Sequence, residues 1–144
     1  MDEKKALEMY SQGFSCSQTV LSAFADEIGM DYDTCLKAAS AFGGGAGRKE
    51  LCGCVTGALI ALGLKYGFFS PGDEDGHANM DSVREEFLSR FEKEFGAIRC
   101  GDLLRGDLLP EDERRRLGSE GVLLRLCPGF IAGTCHILED MLED

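Results

Sequence analysis

Apolar residues along the chain recur mostly at intervals of three and four, with polar residues between them. This spacing places apolar side chains on one face of an α-helix, and the strict alternation typical of β-strands is not found. The pattern predicts an all-α fold, a helical bundle with glycine-rich connections. Because no linker, low-complexity tract or internal repeat divides the sequence, residues 1–144 are predicted to form a single domain.

Glycines and capping residues divide the first half of the chain into four predicted helices. The fourth is the most apolar, and its small residues let neighbouring helices approach closely, so we expect it at the centre of the bundle. Its Gly57 and Gly63 face could serve packing within the chain or a homodimer equally well. The four helices are 3–12, ended by Gly13; a helix with Ser15 as N-cap that ends before Gly29; a helix that starts near Asp31 or Asp33 and ends in Gly43–Gly45; and 51–66.

A polar stretch, 70–79, follows these helices, and its proline, glycines and acidic residues predict a loop. The next predicted helix is 80–95. Its larger apolar residues recur every four positions and form one continuous stripe, which predicts core packing rather than a cofactor site. The members of this stripe are Val83, Phe87, Phe91 and Phe95.

The remaining helices are predicted from proline and glycine positions. A short turn or helix is expected at 101–105, and Pro110 begins a further helix with acidic residues in its first turn and arginines in its last. Pro128 is predicted to start the final helix, which would make Cys127 its N-cap residue.

Candidate chemistry concentrates in the stretch 42–67, which contains a glycine run, an Arg-Lys pair and two cysteines before the apolar helix. Cys52 is predicted in the first turn of that helix, where the helix N-terminus and a nearby guanidinium favour the thiolate. The run before it could supply backbone donors that support this thiol, or simply connect two closely packed helices. The residues of this supporting loop are Gly44, Gly45, Gly47 and Arg48.

The chain has seven cysteines, and four of them stand at or just before predicted helix N-termini. If these N-termini converge, they lower thiol pKa values and stabilise an anionic cluster or a mixed disulfide. The alternative is that each cysteine is a small buried hydrophobe. Cys54 is expected to face different neighbours from Cys52, because two helical positions differ by roughly 200°. The four cysteines at predicted N-termini are Cys16, Cys52, Cys100 and Cys127.

Composition narrows the partners. The net charge of −11 opposes binding to nucleic acid or to anionic lipid surfaces. The longest apolar run, 54–64, is far shorter than the roughly 20 residues of a membrane helix. The N-terminal residues show no export signal, so a soluble cytoplasmic protein is expected. In a reducing compartment, cysteines indicate metal binding or catalysis more often than a disulfide framework.

Familiar metal motifs are missing from the sequence. No two cysteines have CxxC spacing, so a zinc ion would have to be bound by residues from distant parts of the chain. A calcium loop starting at Asp73 would need glutamate where the chain has Arg84. A haem motif ending at His136 would need cysteine where the chain has Ala132.

Four blocks of sequence nevertheless occur in an order that resembles the C_GCAxxG_C_C family of small redox-active proteins. They are GFSCSQTVLSAFADEIG, FGGGAGR with CGCVTG, IRCGDLLRGD, and CPGFIAGTCHILEDML. The resemblance implies a redox site formed by Cys16, Cys52, Cys100 and Cys127. Cys54 stands where the family usually has alanine, and we favour a harmless replacement over an added thiol. The chain is also distantly similar to the helical domain of split-Soret cytochromes, which implies an iron–sulfur cluster as one option.

The sequence therefore leaves three hypotheses about function. The leading hypothesis is thiol–disulfide or electron-transfer chemistry at the four cysteines, with Cys52 as the nucleophile and a redox partner or small molecule as substrate. Such a protein would be a thiol-dependent oxidoreductase. The alternative is an iron–sulfur cluster or a zinc ion held by the same four thiolates. A third option is a binding bundle whose cysteines are merely buried, and it predicts slow reaction of the native thiols.

Overall fold

The computed structural model describes residues 1–105 and 110–143, and these residues confirm the predicted all-α fold. Beside the helices, the described residues contain a π-helical turn at Gly45–Lys49 and an isolated antiparallel bridge between Leu51 and Arg99. The helices are α1 (Glu3–Ser11), α2 (Cys16–Ala23), α3 (Ala25–Ile28), α4 (Tyr32–Ala38), α5 (Gly53–Tyr66), α6 (Glu74–Phe95), α7 (Cys100–Arg105) and α8 (Glu111–Met141).

Helix α5 packs against α2, α6 and α8, so the predicted central position is confirmed. It approaches α2 closely at Gly57, where an added Cβ would lie 2.8 Å from the carbonyl oxygen of Ser17. Gly63, by contrast, has open space around its Cα. The Gly57 side of the predicted small-residue face is therefore used within the chain.

The predicted loop at 70–79 is wrong for its second part, because α6 begins at Glu74 and not at position 80. Asp73 is the N-cap, and its carboxylate accepts a hydrogen bond from the Gly76 N–H at 2.9 Å. The first turn of α6 is exposed and contains no apolar side chain to bury. Its sequence therefore lacks the apolar periodicity of a helix and resembles that of a loop. The stripe of α6 does form core, since Phe87 and Phe91 are fully buried.

The predicted helix start at Pro128 is also wrong. Helix α8 continues through Pro128 and is interrupted instead at Gly118, whose φ of 72° and ψ of 178° are not helical. A proline inside a helix removes one backbone hydrogen bond. The packing of α8 against α1, α2, α5 and α6 offsets that loss, with Ile131 and Leu138 fully buried.

Because of this continuity, the stretch Glu120–Met141 is long and apolar enough to cross a membrane by length and composition. The sequence prediction divided it at Pro128 and so found only shorter apolar runs. In the structure, 67% of its most apolar window is buried against the rest of the chain. Burial in a protein core accounts for such a composition as well as a membrane would.

Candidate functional site

The structure brings the four predicted cysteines together around one cavity of about 70 Å³. All seven cysteines of the chain are free thiols. The four at the cavity are nearly buried, with exposed fractions between 5% and 9%. The other lining residues are Cys54, Tyr10, Gly44, Gly53, Leu103, Leu104, Leu123 and Phe130.

Cys16 is the first residue of α2, where the helix N-terminus favours a negative charge. Ser15 caps this helix, as predicted, and forms a reciprocal capping box with Gln18. The thiolate of Cys16 accepts hydrogen bonds from the Cys54 side chain and from the backbone N–H groups of Gly44, Ser17 and Cys16 itself. These donors, with Cys54 the largest contributor, lower the pKa of Cys16 to about 6 against the opposing effect of burial.

Cys54 lies at the same cavity, which contradicts the prediction that it faces different neighbours from Cys52. Its side chain is fully buried and hydrogen-bonds the sulfur atoms of both Cys16 and Cys52. These two bonds, the one to Cys16 first, raise the pKa of Cys54 well above its ordinary value. The helical rotation rule does not apply here, because Cys52 precedes α5 with an extended ψ of 135°. This bend turns both side chains towards Cys16.

Cys52 and Cys100 are held near one another by two strand-like hydrogen bonds. The Cys52 N–H donates to the carbonyl of Ile98 at 2.9 Å, and the Cys100 N–H donates to the carbonyl of Glu50 at 2.6 Å. Cys100 begins the short helix α7. Burial raises the pKa of Cys100 to about 11, and the proximity of Cys52 and Cys16 adds to this effect.

Cys127 reaches the cavity from the middle of α8 rather than from a helix N-terminus, so the predicted N-cap position is wrong. Burial raises its pKa to about 12, and the negative charge at Cys16 adds to this effect. The hydroxyl of Tyr10 donates a hydrogen bond to the sulfur of Cys127. Burial, followed by the proximity of Cys127, raises the pKa of Tyr10.

Tyr10 lines the cavity and contacts Cys127, and the sequence analysis did not identify it. It lies one helical turn after the buried Ala6 on α1. No motif connects position 10 with Cys127, so the contact depends on how α1 packs against α8.

The glycine run supports the cavity in part. Gly44 lines it, and Gly45 is buried where an added Cβ would lie 3.0 Å from the Cβ of Cys100. Gly47 and Arg48 are exposed and do not line the cavity. The cation that favours a thiolate here is Lys49, which acts on Cys100.

The two remaining cysteines lie in the core and do not line the cavity. Cys35 and Cys135 are both fully buried. Burial raises the pKa of each, that of Cys135 to about 11.

The fit of a metal can be judged from the positions of the donor atoms. Cysteine sulfur is a suitable ligand for zinc or for an iron–sulfur cluster. Within residues 1–105 and 110–143, however, no group of three or more His, Cys, Asp or Glu side chains is placed so that it could hold a metal ion. The arrangement fits hydrogen-bonded thiols better than a ligand set.

Comparison with known proteins gave one match. The C_GCAxxG_C_C family model, described as "putative redox-active protein", matches residues 14–141. No curated protein and no solved structure matches the chain. The matched region contains all five cysteines of the cavity.

Proposed function

The chain belongs to the C_GCAxxG_C_C family, and from this premise we propose that it is a thiol–disulfide oxidoreductase whose nucleophile is Cys16. The observation that carries this proposal is the set of donors around the Cys16 sulfur. A thiol with a pKa of about 6 is mostly thiolate at neutral pH, and the thiolate is the nucleophile in disulfide exchange. The sequence analysis favoured Cys52 as the nucleophile, whereas in the structure the hydrogen-bond donors surround the sulfur of Cys16.

In the first step, the Cys16 thiolate attacks one sulfur of a substrate disulfide. The substrate S–S bond breaks, a mixed disulfide forms at Cys16, and the leaving thiolate takes a proton from solvent. This step removes the negative charge from Cys16. The hydrogen bond to that charge is the largest cause of the raised pKa of Cys54, so Cys54 then ionises more readily.

In the second step, the Cys54 thiolate attacks the Cys16 sulfur. The mixed disulfide breaks, a Cys16–Cys54 disulfide forms, and the second substrate thiolate leaves. The protein has then transferred two electrons to the substrate. An external dithiol donor restores the two protein thiols by the reverse exchange. Cys100 and Cys127 remain protonated at neutral pH, because burial raises their pKa values to about 11 and about 12.

A reducing compartment such as the cytoplasm suits this function, since it keeps the seven thiols available. We keep the predicted single-domain organisation as part of the proposal. The iron–sulfur and zinc alternatives have less support, because the described donors do not form a ligand group.

The test compares Cys16→Ala with Cys35→Ala, a buried cysteine outside the cavity. The reduced proteins are mixed with a neutral disulfide, bis(2-hydroxyethyl) disulfide, and thiol oxidation is followed by acid quenching and intact mass. We expect Cys16→Ala to slow oxidation about 100-fold or more, and Cys35→Ala to react like wild type.

Two results would contradict the proposal. If Cys16→Ala reacts at the wild-type rate while Cys52→Ala does not, Cys52 is the nucleophile, as the sequence predicted. If none of the cavity cysteines affects the rate, the cavity has no part in the exchange.

A further inference from the structure

A second cavity, of about 380 Å³, lies beside the cysteine cavity. We call it the cationic groove. Leu104 and Leu123 line both cavities, so the two spaces adjoin along these side chains. The groove is lined by Lys49, Leu104, Arg114, Arg115, Gly118, Val122 and Leu123.

The charge of the groove is opposite to that of the protein. Lys49, Arg114 and Arg115 contribute three cations in a chain with a net charge of −11, and the described lining residues include no acidic side chain. Arg115 pairs with Glu111 at 3.4 Å. Both of these side chains are mostly exposed, so the pair is weak and can be replaced by a ligand.

Lys49 has both an unusual backbone conformation and an electrostatic effect on the cysteine cavity. Lys49 has a φ of 56°, a left-handed conformation that residues other than glycine rarely adopt and that is enriched at functional sites. The charge of Lys49 also acts on Cys100, which lines the cysteine cavity. Lys49 therefore lines the groove and acts electrostatically on a thiol of the cysteine cavity.

Gly118 produces the other side of the groove. Its φ of 72° interrupts α8, which allows Arg114 and Arg115 before the break to line the same space as Val122 and Leu123 after it. In a continuous helix, Arg114 and Arg115 would lie further along the helix axis, away from Val122 and Leu123. The groove is therefore lined by both apolar side chains and cations.

We propose that the cationic groove binds the anionic part of a low-molecular-weight disulfide that carries carboxylates, and so selects the substrate of Cys16. This inference deepens the proposed thiol–disulfide function and rests on it. Carboxylates bind the guanidinium groups, and the aliphatic part of the ligand lies against Leu104 and Leu123. Its sulfur then reaches the Cys16 thiolate. The exchange is balanced as described above: the ligand disulfide gains two electrons and leaves as two thiols, while Cys16 and Cys54 form a disulfide.

The experiment measures oxidation of the reduced full chain by two probes, glutathione disulfide, which is anionic, and neutral bis(2-hydroxyethyl) disulfide. The groove variant is Arg114→Gln with Arg115→Gln. The control is Arg116→Gln with Arg125→Gln, which removes the same net charge from exposed arginines that do not line the groove. We expect the ratio of anionic to neutral rates to fall roughly threefold to tenfold in the groove variant and to stay near the wild-type ratio in the control.

An equal fall in both variants would show that only the overall charge matters, and an unchanged ratio in the groove variant would show no role for the arginines. Either result overturns the inference and leaves the proposed function intact, because the neutral probe still reacts. If neither probe oxidises wild type, the proposed function fails, and the inference fails with it.

Discussion

At the scale of single residues, the chemistry of the cavity depends on which atoms donate to the Cys16 sulfur. The start of α2 and the N–H of Gly44 supply backbone donors, and Cys54 supplies the largest contribution. A buried thiolate without such donors would be unfavourable, because burial by itself raises thiol pKa values, as it does at Cys127. The sequence analysis interpreted Cys54 as a harmless replacement for alanine. In the structure, Cys54 instead donates a hydrogen bond to the Cys16 sulfur.

The first prediction concerns the pH dependence of Cys16. Thiolate forms as the pH rises through the pKa, so alkylation of Cys16 in wild type should increase with pH around a midpoint near 6. Cys54→Ala removes the largest stabilising donor, which moves the midpoint upwards towards that of an ordinary thiol. At pH 6.5 we expect alkylation to become roughly fivefold to tenfold slower. The measurement is iodoacetamide labelling followed by peptide mass spectrometry.

Cys35→Ala is the matched control for this prediction, because its sulfur lies outside the cavity, near the carbonyl of Met30. It should leave the Cys16 midpoint unchanged. A wild-type midpoint near 9, or equal midpoints in wild type and Cys54→Ala, would show that Cys54 does not stabilise the thiolate.

At the scale of the elements, the cavity depends on the close packing of α2 against α5. Two glycines of α5 permit it. An added Cβ at Gly53 would lie 2.4 Å from the Sγ of Cys16, and one at Gly57 would lie 2.8 Å from the backbone oxygen of Ser17. Because neither glycine has a side chain, α2 and α5 can approach this closely, and this distance also fixes the position of Cys16.

The second prediction compares Gly57→Ala with Gly63→Ala on this helix. Alanine at position 57 must push α2 away, so we expect a loss of about 1–3 kcal/mol in the free energy of unfolding. Alanine at position 63 meets open space, and its better helix propensity should leave stability unchanged or raise it by up to about 1 kcal/mol. Urea unfolding followed by circular dichroism measures both. Equal effects at the two positions would argue against the packing of α2 on α5.

At the scale of the whole molecule, the cavity lies beside an aromatic and aliphatic core that α6 and α8 share. The ring centroids of Phe91 and Phe95 are 5.0 Å apart, and those of Phe95 and Phe130 are 5.1 Å apart. Phe130 also lines the cavity, so this row connects the centre of the bundle to the thiols. The apolar character of α8 is explained by the same burial.

The third prediction tests this core with two phenylalanines that differ in burial. Phe91 is fully buried, whereas Phe69 is fully exposed. Phe91→Ala should lower the free energy of unfolding by about 3–5 kcal/mol, because it removes buried apolar area and leaves a cavity. Phe69→Ala should change it by less than about 0.5 kcal/mol. Chemical denaturation of both variants decides the matter, and a small effect of Phe91→Ala would contradict the described core.

The sequence by itself determined the helical class, the buried stripe of Phe87 and Phe91, the N-cap at Ser15 and the four cysteines that share a cavity. These features follow from local periodicity and capping, which act over a few residues, and from motifs shared with a family. Only the tertiary structure decided that α8 continues through Pro128, that Tyr10 meets Cys127, and that Cys54 donates to Cys16. Each of these depends on packing or hydrogen bonds between segments distant in sequence, and no local pattern records such contacts.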